Sequence, residues 1–116
     1  MSGGSMDYVG FKIEQAAEYV AQEIARIEKM DAKKIADEFH PCNYYVKNYP
    51  DKKFLASPTG LRRETLKRLR AAEKAMRIAA IYAIRVEWLT SCDDGYDNFI
   101  LQTDEELEKF KKRTKK

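Results

Sequence analysis

Residues that break helices are scarce in this chain of 116, and so are residues that carry out chemistry. There are five glycines, three prolines, two cysteines and one histidine. The glycines and prolines fall between long uninterrupted stretches, which argues against a sheet of many short strands and for helices. The lone His40 stands two residues from Cys42 in an H-x-C pair, but the other thiol is the distant Cys92. A structural zinc site needs four ligands at workable spacing, so no metal is expected. Asp93, Asp94 and Asp97 miss the calcium-loop pattern and read as a turn. There is no G-x-S-x-G, no phosphate-binding glycine loop and no H-E-x-x-H, which leaves no catalytic set and no cofactor motif. A thiol–imidazole pair of Cys42 and His40 is the one enzymatic alternative, and a proline turn is a poor setting for it.

Long hydrophobic runs are missing as well. Nothing approaches the roughly 18–20 apolar residues of a membrane span. Without a secretory segment or a dense cysteine pattern, Cys42 and Cys92 read as free thiols in a reducing, cytoplasmic compartment, a single disulfide being the other option. The opening Met1-Ser2-Gly3-Gly4-Ser5 reads as an appended leader, with Met6 as the native start.

What the chain does have is charge and helical periodicity. Apolar residues make up 44% and charged residues 35%, ordinary proportions for one globular domain. The net charge is only +3, but it is laid out in blocks. Residues 7–38 hold eight acids and five bases, and residues 62–77 hold seven bases and two acids. Residues 87–108 hold eight acids and no base, and residues 109–116 hold six bases. Alternating blocks suggest internal pairing or oriented docking.

The periodicity predicts an all-α small helical bundle with a long central helix and one long aromatic-rich loop. Val9, Ile13, Ala16, Val20, Ile24 and Ile27 step by three and four over a first helix. The phase breaks at Asp31, which either caps a short helix through Glu38 or marks a bend. Residues 40–59 hold all three prolines, with a helical turn expected near 43–47. The central helix starts at Ser57-Pro58 or at Thr59 and runs to Cys92. Its core row is Leu69, Ala72, Met76, Ala79, Ala83 and Val86. After a turn at 93–98 and a short apolar patch at 99–101, Thr103-x-x-Glu106 reads as a capping box before a last helix with a basic tail from about residue 109.

Three segments are candidate sites. The best is a second row on the central helix: Arg63, Lys67, Arg70, Lys74 and Arg77, about 21 Å of cationic face at 1.5 Å per residue. Such a row can follow the phosphates of a nucleic acid. It can equally be a solvated face paired with the acidic first helix or with the acids of 87–108. Beyond it the same face carries Ile81, Ile84 and Trp88, which with Tyr82 form either core or a homo-oligomer contact. The loop interleaves Tyr44, Tyr45, Lys47, Tyr49, Lys52, Lys53 and Phe54. Rings between cations suit the stacked bases and phosphates of a single strand, or simply anchor a long loop. The basic tail binds phosphates or frays.

Taken together these features point to a non-enzymatic module that contacts nucleic acid or a nucleic-acid-binding protein complex. Arg63, Lys67, Arg70, Lys74 and Arg77 would hold phosphates, with Tyr44, Tyr45 and Lys47 in support. The alternative is a protein-interaction or inhibitor module, of viral or mobile-element accessory type, that docks by charge complementarity. The stretch YPDKKF followed by LRRETLKRLRAA resembles the linker and basic helix of the small four-helix proteins of the retroelement accessory group. The resemblance covers about a fifth of the chain. It implies a basic bundle that binds nucleic acid or a nucleic-acid enzyme.

Overall fold

The computed structural model describes residues 8–91 and 94–114. The leader at 1–5, the start at Met6, Cys92, Asp93 and the last two lysines lie outside the described residues. Among the described residues there are five α-helices and no strand. They are α1 (Val9–Glu28), α2 (Ala32–Glu38), α3 (Asn43–Asn48), α4 (Pro58–Thr90) and α5 (Tyr96–Thr114), with a 3₁₀ turn at Lys53–Ala56. This is the expected all-α bundle built around a long central helix. The aromatic-rich connection from α2 to α4 is partly ordered as α3 and the 3₁₀ turn.

The described residues form two compact units. One holds residues 19–72; the other holds 8–18, 73–91 and 94–114. Helices α1 and α4 each contribute a segment to both.

In the 19–72 unit the core is Ile24, Ile27 and Leu66, with Val20, Met30, Phe39 and Leu69 packed around it. The break at Asp31 is a true cap. Its Oδ1 accepts from the Lys34 N–H at 2.9 Å, so α1 and α2 are separate helices. Arg62 closes the end of α1, donating to the Ile27 and Glu28 carbonyls at 3.4 Å. These carbonyls have no partner inside α1, and a cation suits the negative end of a helix. Helix α4 takes the first of its two expected starts, Ser57-Pro58 and not Thr59. The Ser57 hydroxyl accepts from the Gly60 N–H at 3.0 Å, and Pro58 takes the first helical position. Gly60 is buried there because the 3₁₀ turn lies against it. A Cβ would come within 2.8 Å of the Phe54 carbonyl oxygen.

In the other unit Gly10 plays the same role between α1 and α4. A Cβ on it would meet Ile84 Cγ1 at 2.5 Å and the Ile84 backbone nitrogen at 2.8 Å. Helix α1 is anchored at its start by Glu87, which is 2% exposed. The Tyr8 N–H donates to Glu87 Oε2 at 2.9 Å. The Tyr8 carbonyl in turn accepts from Phe11 and Lys12 to open the helix. Tyr8 itself is in the left-handed region, with φ 58°, a conformation non-glycine residues seldom adopt. The Glu87 carboxylate thus sits at the positive end of α1. Arg85 joins α4 to the acidic segment after it. Its Nε is 3.3 Å from Glu106 and its Nη1 is 3.7 Å from Asp94.

Two expectations are corrected here. The core line of α4 is not centred on Ala72, Ala79 and Ala83. Its buried side chains are Leu66, Ala80 and Glu87, and Ala79 is exposed. Apolarity picks out the alanine row, but α1 lies against a neighbouring line that includes an acid it needs. Thr103 does not begin a helix either. Helix α5 opens at Tyr96, where the Phe99 N–H bonds the Gly95 carbonyl at 2.9 Å and Asp94 Oδ1 accepts from the Asn98 amide at 2.8 Å. Thr103 is 5% exposed, inside the helix, and Phe110 is buried two turns on. The spacing from Phe99 through Thr103 to Phe110 is one helical stripe. That stripe overrides the local capping signal.

Candidate nucleic-acid interface

The cationic row is present on α4, but it is not uniformly open. Arg70 is ion-paired with Glu28 of α1. Arg77 donates to Glu18 of α1 at 3.1 Å and to Glu73 at 3.0 Å. Those two carboxylates, Glu18 first, hold the Arg77 guanidinium more firmly protonated than usual. Two of the five cations therefore pair with the acidic first helix, as the solvated-face reading expected. Arg63 is exposed, with Glu64 at 4.0 Å. Lys67 and Lys74 are exposed and form no ion pair with a described residue. The open part of the row is Arg63, Lys67 and Lys74.

The aromatic connection builds a second feature, wholly within the 19–72 unit. Tyr45 on α3 and Tyr49, the residue that caps its end, are one turn apart, their rings stacked at 6.2 Å between centroids and 27° between planes. Tyr44 meets Tyr45 edge-on at 5.2 Å. Tyr44, Tyr45 and Tyr49 are all exposed, Tyr45 by 51% and Tyr49 by 44%. Exposed rings of this size rarely cluster without a partner. Tyr45 and Tyr49 wall a groove of about 410 Å³ with Lys52, Phe54, Leu55, Leu61, Glu64, Thr65 and Arg68. Two cations ride on its rings. Lys52 Nζ is 5.9 Å from the Tyr49 centroid, and the Arg68 guanidinium is 5.5 Å from that of Phe54. Arg68 Nη1 also donates to Glu64 Oε1 at 2.6 Å. That bond holds the Glu64 carboxyl below the usual carboxylate range, so it is ionised at neutral pH.

The groove and the row do not make one site. At 100° per residue, Leu61, Glu64, Thr65 and Arg68 lie about 150° around α4 from the row of Arg63, Lys67 and Arg70. The core line through Leu66 and Leu69 lies on the longer way round between them. Of the residues named from sequence, Tyr45 lines the groove. Tyr44 touches Tyr45 at its edge, and Lys47 is exposed on α3 away from the groove wall. Sequence reasoning undervalued Arg68, Glu64 and Phe54. The available signal was the spacing of Leu61, Glu64, Thr65 and Arg68, a second helical face well round the helix from the more obvious cationic one.

Charge favours this region. Residues 43–70 hold eight bases and two acids, far more basic than the net +3 of the chain. A larger cavity of about 730 Å³, lined by Arg26, Lys29, Met30, Lys34, Asp37 and Glu38, is less promising. It has no aromatic wall, and Arg26 is already forked between Glu23 at 2.6 Å and Glu38 at 2.8 Å. Cys42 is an exposed free thiol and His40 is exposed. Among the described residues no group of three or more His, Cys, Asp or Glu is placed to hold a metal. No described helix is long and apolar enough to cross a membrane. Ile84, expected in core or in an oligomer contact, packs on Gly10, while Tyr82 and Trp88 remain exposed.

Compared with known protein families, curated proteins and solved structures, the chain has no match.

Proposed function

We propose that this protein is a non-enzymatic module that binds single-stranded nucleic acid, alone or within a nucleoprotein complex, through the aromatic groove of residues 43–70. The observation that carries the reading is the exposed Tyr45–Tyr49 stack beside Lys52 and Arg68. Bases have apolar faces that stack on such rings, and each stacked base is worth about 1–3 kcal/mol. Lys52 and Arg68 add positive charge beside these rings for the phosphates of a stacked strand. The row proposed from sequence takes a secondary role. Arg63, Lys67 and Lys74 supply long-range attraction, while Arg70 and Arg77 are engaged by α1.

The test is fluorescence anisotropy with a labelled single-stranded 12-mer at low salt. Binding should weaken as salt rises, by at least fivefold for Tyr45→Ala with Tyr49→Ala, and comparably for Arg68→Glu. Absence of binding at low salt, or binding indifferent to the tyrosine pair, overturns the proposal.

A protein-interaction module remains the second reading. It is favoured by one observation, the exposure of Tyr96, Ile100 and Leu101 together on the first turns of α5. A partner captured equally well after nuclease treatment, and lost with Leu101→Asp, would support it.

A further inference from the structure

We propose that the outward face of α5 between Asp97 and Glu108 docks a basic amphipathic helix of a partner protein. This docking does not depend on the nucleic-acid reading, and it gives the protein-interaction reading a partner of stated chemistry.

Residues 87–108 hold eight acids and no base. Three of the acids are used inside the fold. Glu87 accepts from the Tyr8 N–H, and Asp94 and Glu106 both meet Arg85. Four others, Asp97, Asp104, Glu105 and Glu108, are exposed on α5. Glu105 has an exposed pair with Lys109, whose Nζ is 3.5 Å away, and Asp97 accepts from the neighbouring Asn98 N–H. Asp104 and Glu108 form no ion pair with a described residue. Internal pairing thus accounts for the inward acids and leaves an outward set open.

The same face carries apolar surface. Thr103 and Phe110 mark the buried side of α5. At 100° per residue Leu101 lies about 160–180° round the helix from them. Leu101 is 66% exposed and Ile100 is 55% exposed. Asp97, Asp104 and Glu108 fall within about 40° of one another, on a line that runs between Ile100 and Leu101. The face is therefore an acidic line about 16 Å long with a large aliphatic residue on either side. Large apolar residues exposed together mark a contact surface.

That order of groups selects the occupant. Four carboxylates repel phosphates and anionic lipid headgroups. A helix carrying Lys or Arg beside leucine-like residues is the complement. Its apolar side chains and the aliphatic stems of its cations cover Ile100 and Leu101, while the charged heads reach the acids. A second copy of this chain fits less well. Two α5 helices paired antiparallel about the middle of this face would set Asp97 of one copy against Glu108 of the other. The open cations of α4, Arg63, Lys67 and Lys74, have the charge but not the apolar surface. Among the described residues no large exposed hydrophobic lies between Tyr49 and Tyr82.

The probe is a fluorescein-labelled leucine–lysine peptide of about 18 residues with helical periodicity. Its control has the same composition in an order that breaks the period. Each is titrated with the full chain at neutral pH and low salt and followed by anisotropy. The periodic peptide should bind roughly fivefold tighter than the control, or better. Leu101→Asp should weaken it by a similar factor, although one more acid would strengthen a purely electrostatic attraction. Asp104→Lys with Glu108→Lys should abolish binding, with circular dichroism showing both variants folded. Tyr45→Ala with Tyr49→Ala should leave the peptide affinity unchanged, and a loss there places the peptide elsewhere and overturns the proposal. So does equal binding of the two peptides, no binding at low salt, or a Leu101→Asp protein that binds as well as or better than wild type. A dimer in sedimentation velocity that Leu101→Asp dissociates assigns the face to a second copy and overturns the partner helix. Oligonucleotide binding should be the same in wild type and Leu101→Asp, so failure here leaves the nucleic-acid reading intact.

Discussion

Gly10→Ala tests the packing of α1 on α4 because two physical effects oppose each other in sign. Alanine is the better helix former, and on propensity alone the change stabilises by about 0.5–1 kcal/mol, less near a helix start. The structure predicts the opposite. The new Cβ would stand 2.5 Å from Ile84 Cγ1 and 2.8 Å from the Ile84 backbone nitrogen. A side chain can rotate away; a backbone nitrogen inside α4 moves only with the helix. Overpacking of this kind costs about 1–3 kcal/mol, so the net effect is a loss of about 1–2 kcal/mol. For a chain of this length that is a fall in Tm of roughly 3–8 °C, followed by circular dichroism at 222 nm and confirmed by urea unfolding. Ile84→Ala should relieve the Cγ1 contact and not the backbone one. Gly10→Ala should therefore cost less in that background without becoming neutral. If Gly10→Ala stabilises the wild-type protein, the close approach of the two helices is wrong.

Glu87→Ala removes the acceptor of the Tyr8 N–H and the charge at the start of α1. It should destabilise by about 1–3 kcal/mol in urea unfolding, and Glu87→Gln should recover much of that loss, since its amide oxygen can still accept. At Gly60 an added methyl would press on the Phe54 carbonyl at 2.8 Å, so Gly60→Ala should weaken oligonucleotide binding by displacing the 3₁₀ turn from the groove. Circular dichroism should show α4 still formed in that variant. Arg26 lowers the carboxyl pKa of both Glu23 and Glu38, chiefly by donating to them. A depressed folded pKa gives stability that is present above the ordinary carboxylate range and lost as pH falls through the folded value. Carboxyl NMR titration should show both residues returning toward that range in Arg26→Gln, and the acid unfolding curves of the two proteins should converge at low pH.

The fold was legible where one periodicity ruled. The stripe from Val9 to Ile27 gave α1, while Asp31 as cap or bend and Ser57-Pro58 or Thr59 as the start of α4 each narrowed a boundary to two options. It was less legible where a distant residue decided the outcome. Nothing local distinguishes Glu87 from the solvated glutamates, because its burial depends on the start of α1, 79 residues away in sequence. Thr103 carried a sound capping signal that lost to the longer stripe ending at Phe110. At the site the tyrosines and the cations were visible as types. Their division between two flanks of α4 was not, since it depends on which line of the helix α1 covers. Glu28 and Glu18, which engage Arg70 and Arg77, belong to α1, and Glu73 of α4 also holds Arg77, so a linear count of bases overstates the open cationic surface.

The most direct test of the account is NMR mapping of ¹⁵N- and ¹³C-labelled protein titrated with a single-stranded oligonucleotide. The groove predicts the largest shifts at the Tyr45, Tyr49 and Phe54 rings and at Thr65 and Arg68. Changes at Arg63, Lys67 and Lys74 on the other flank should be small and salt-sensitive. Shifts confined to that flank, or none at low salt, would contradict it.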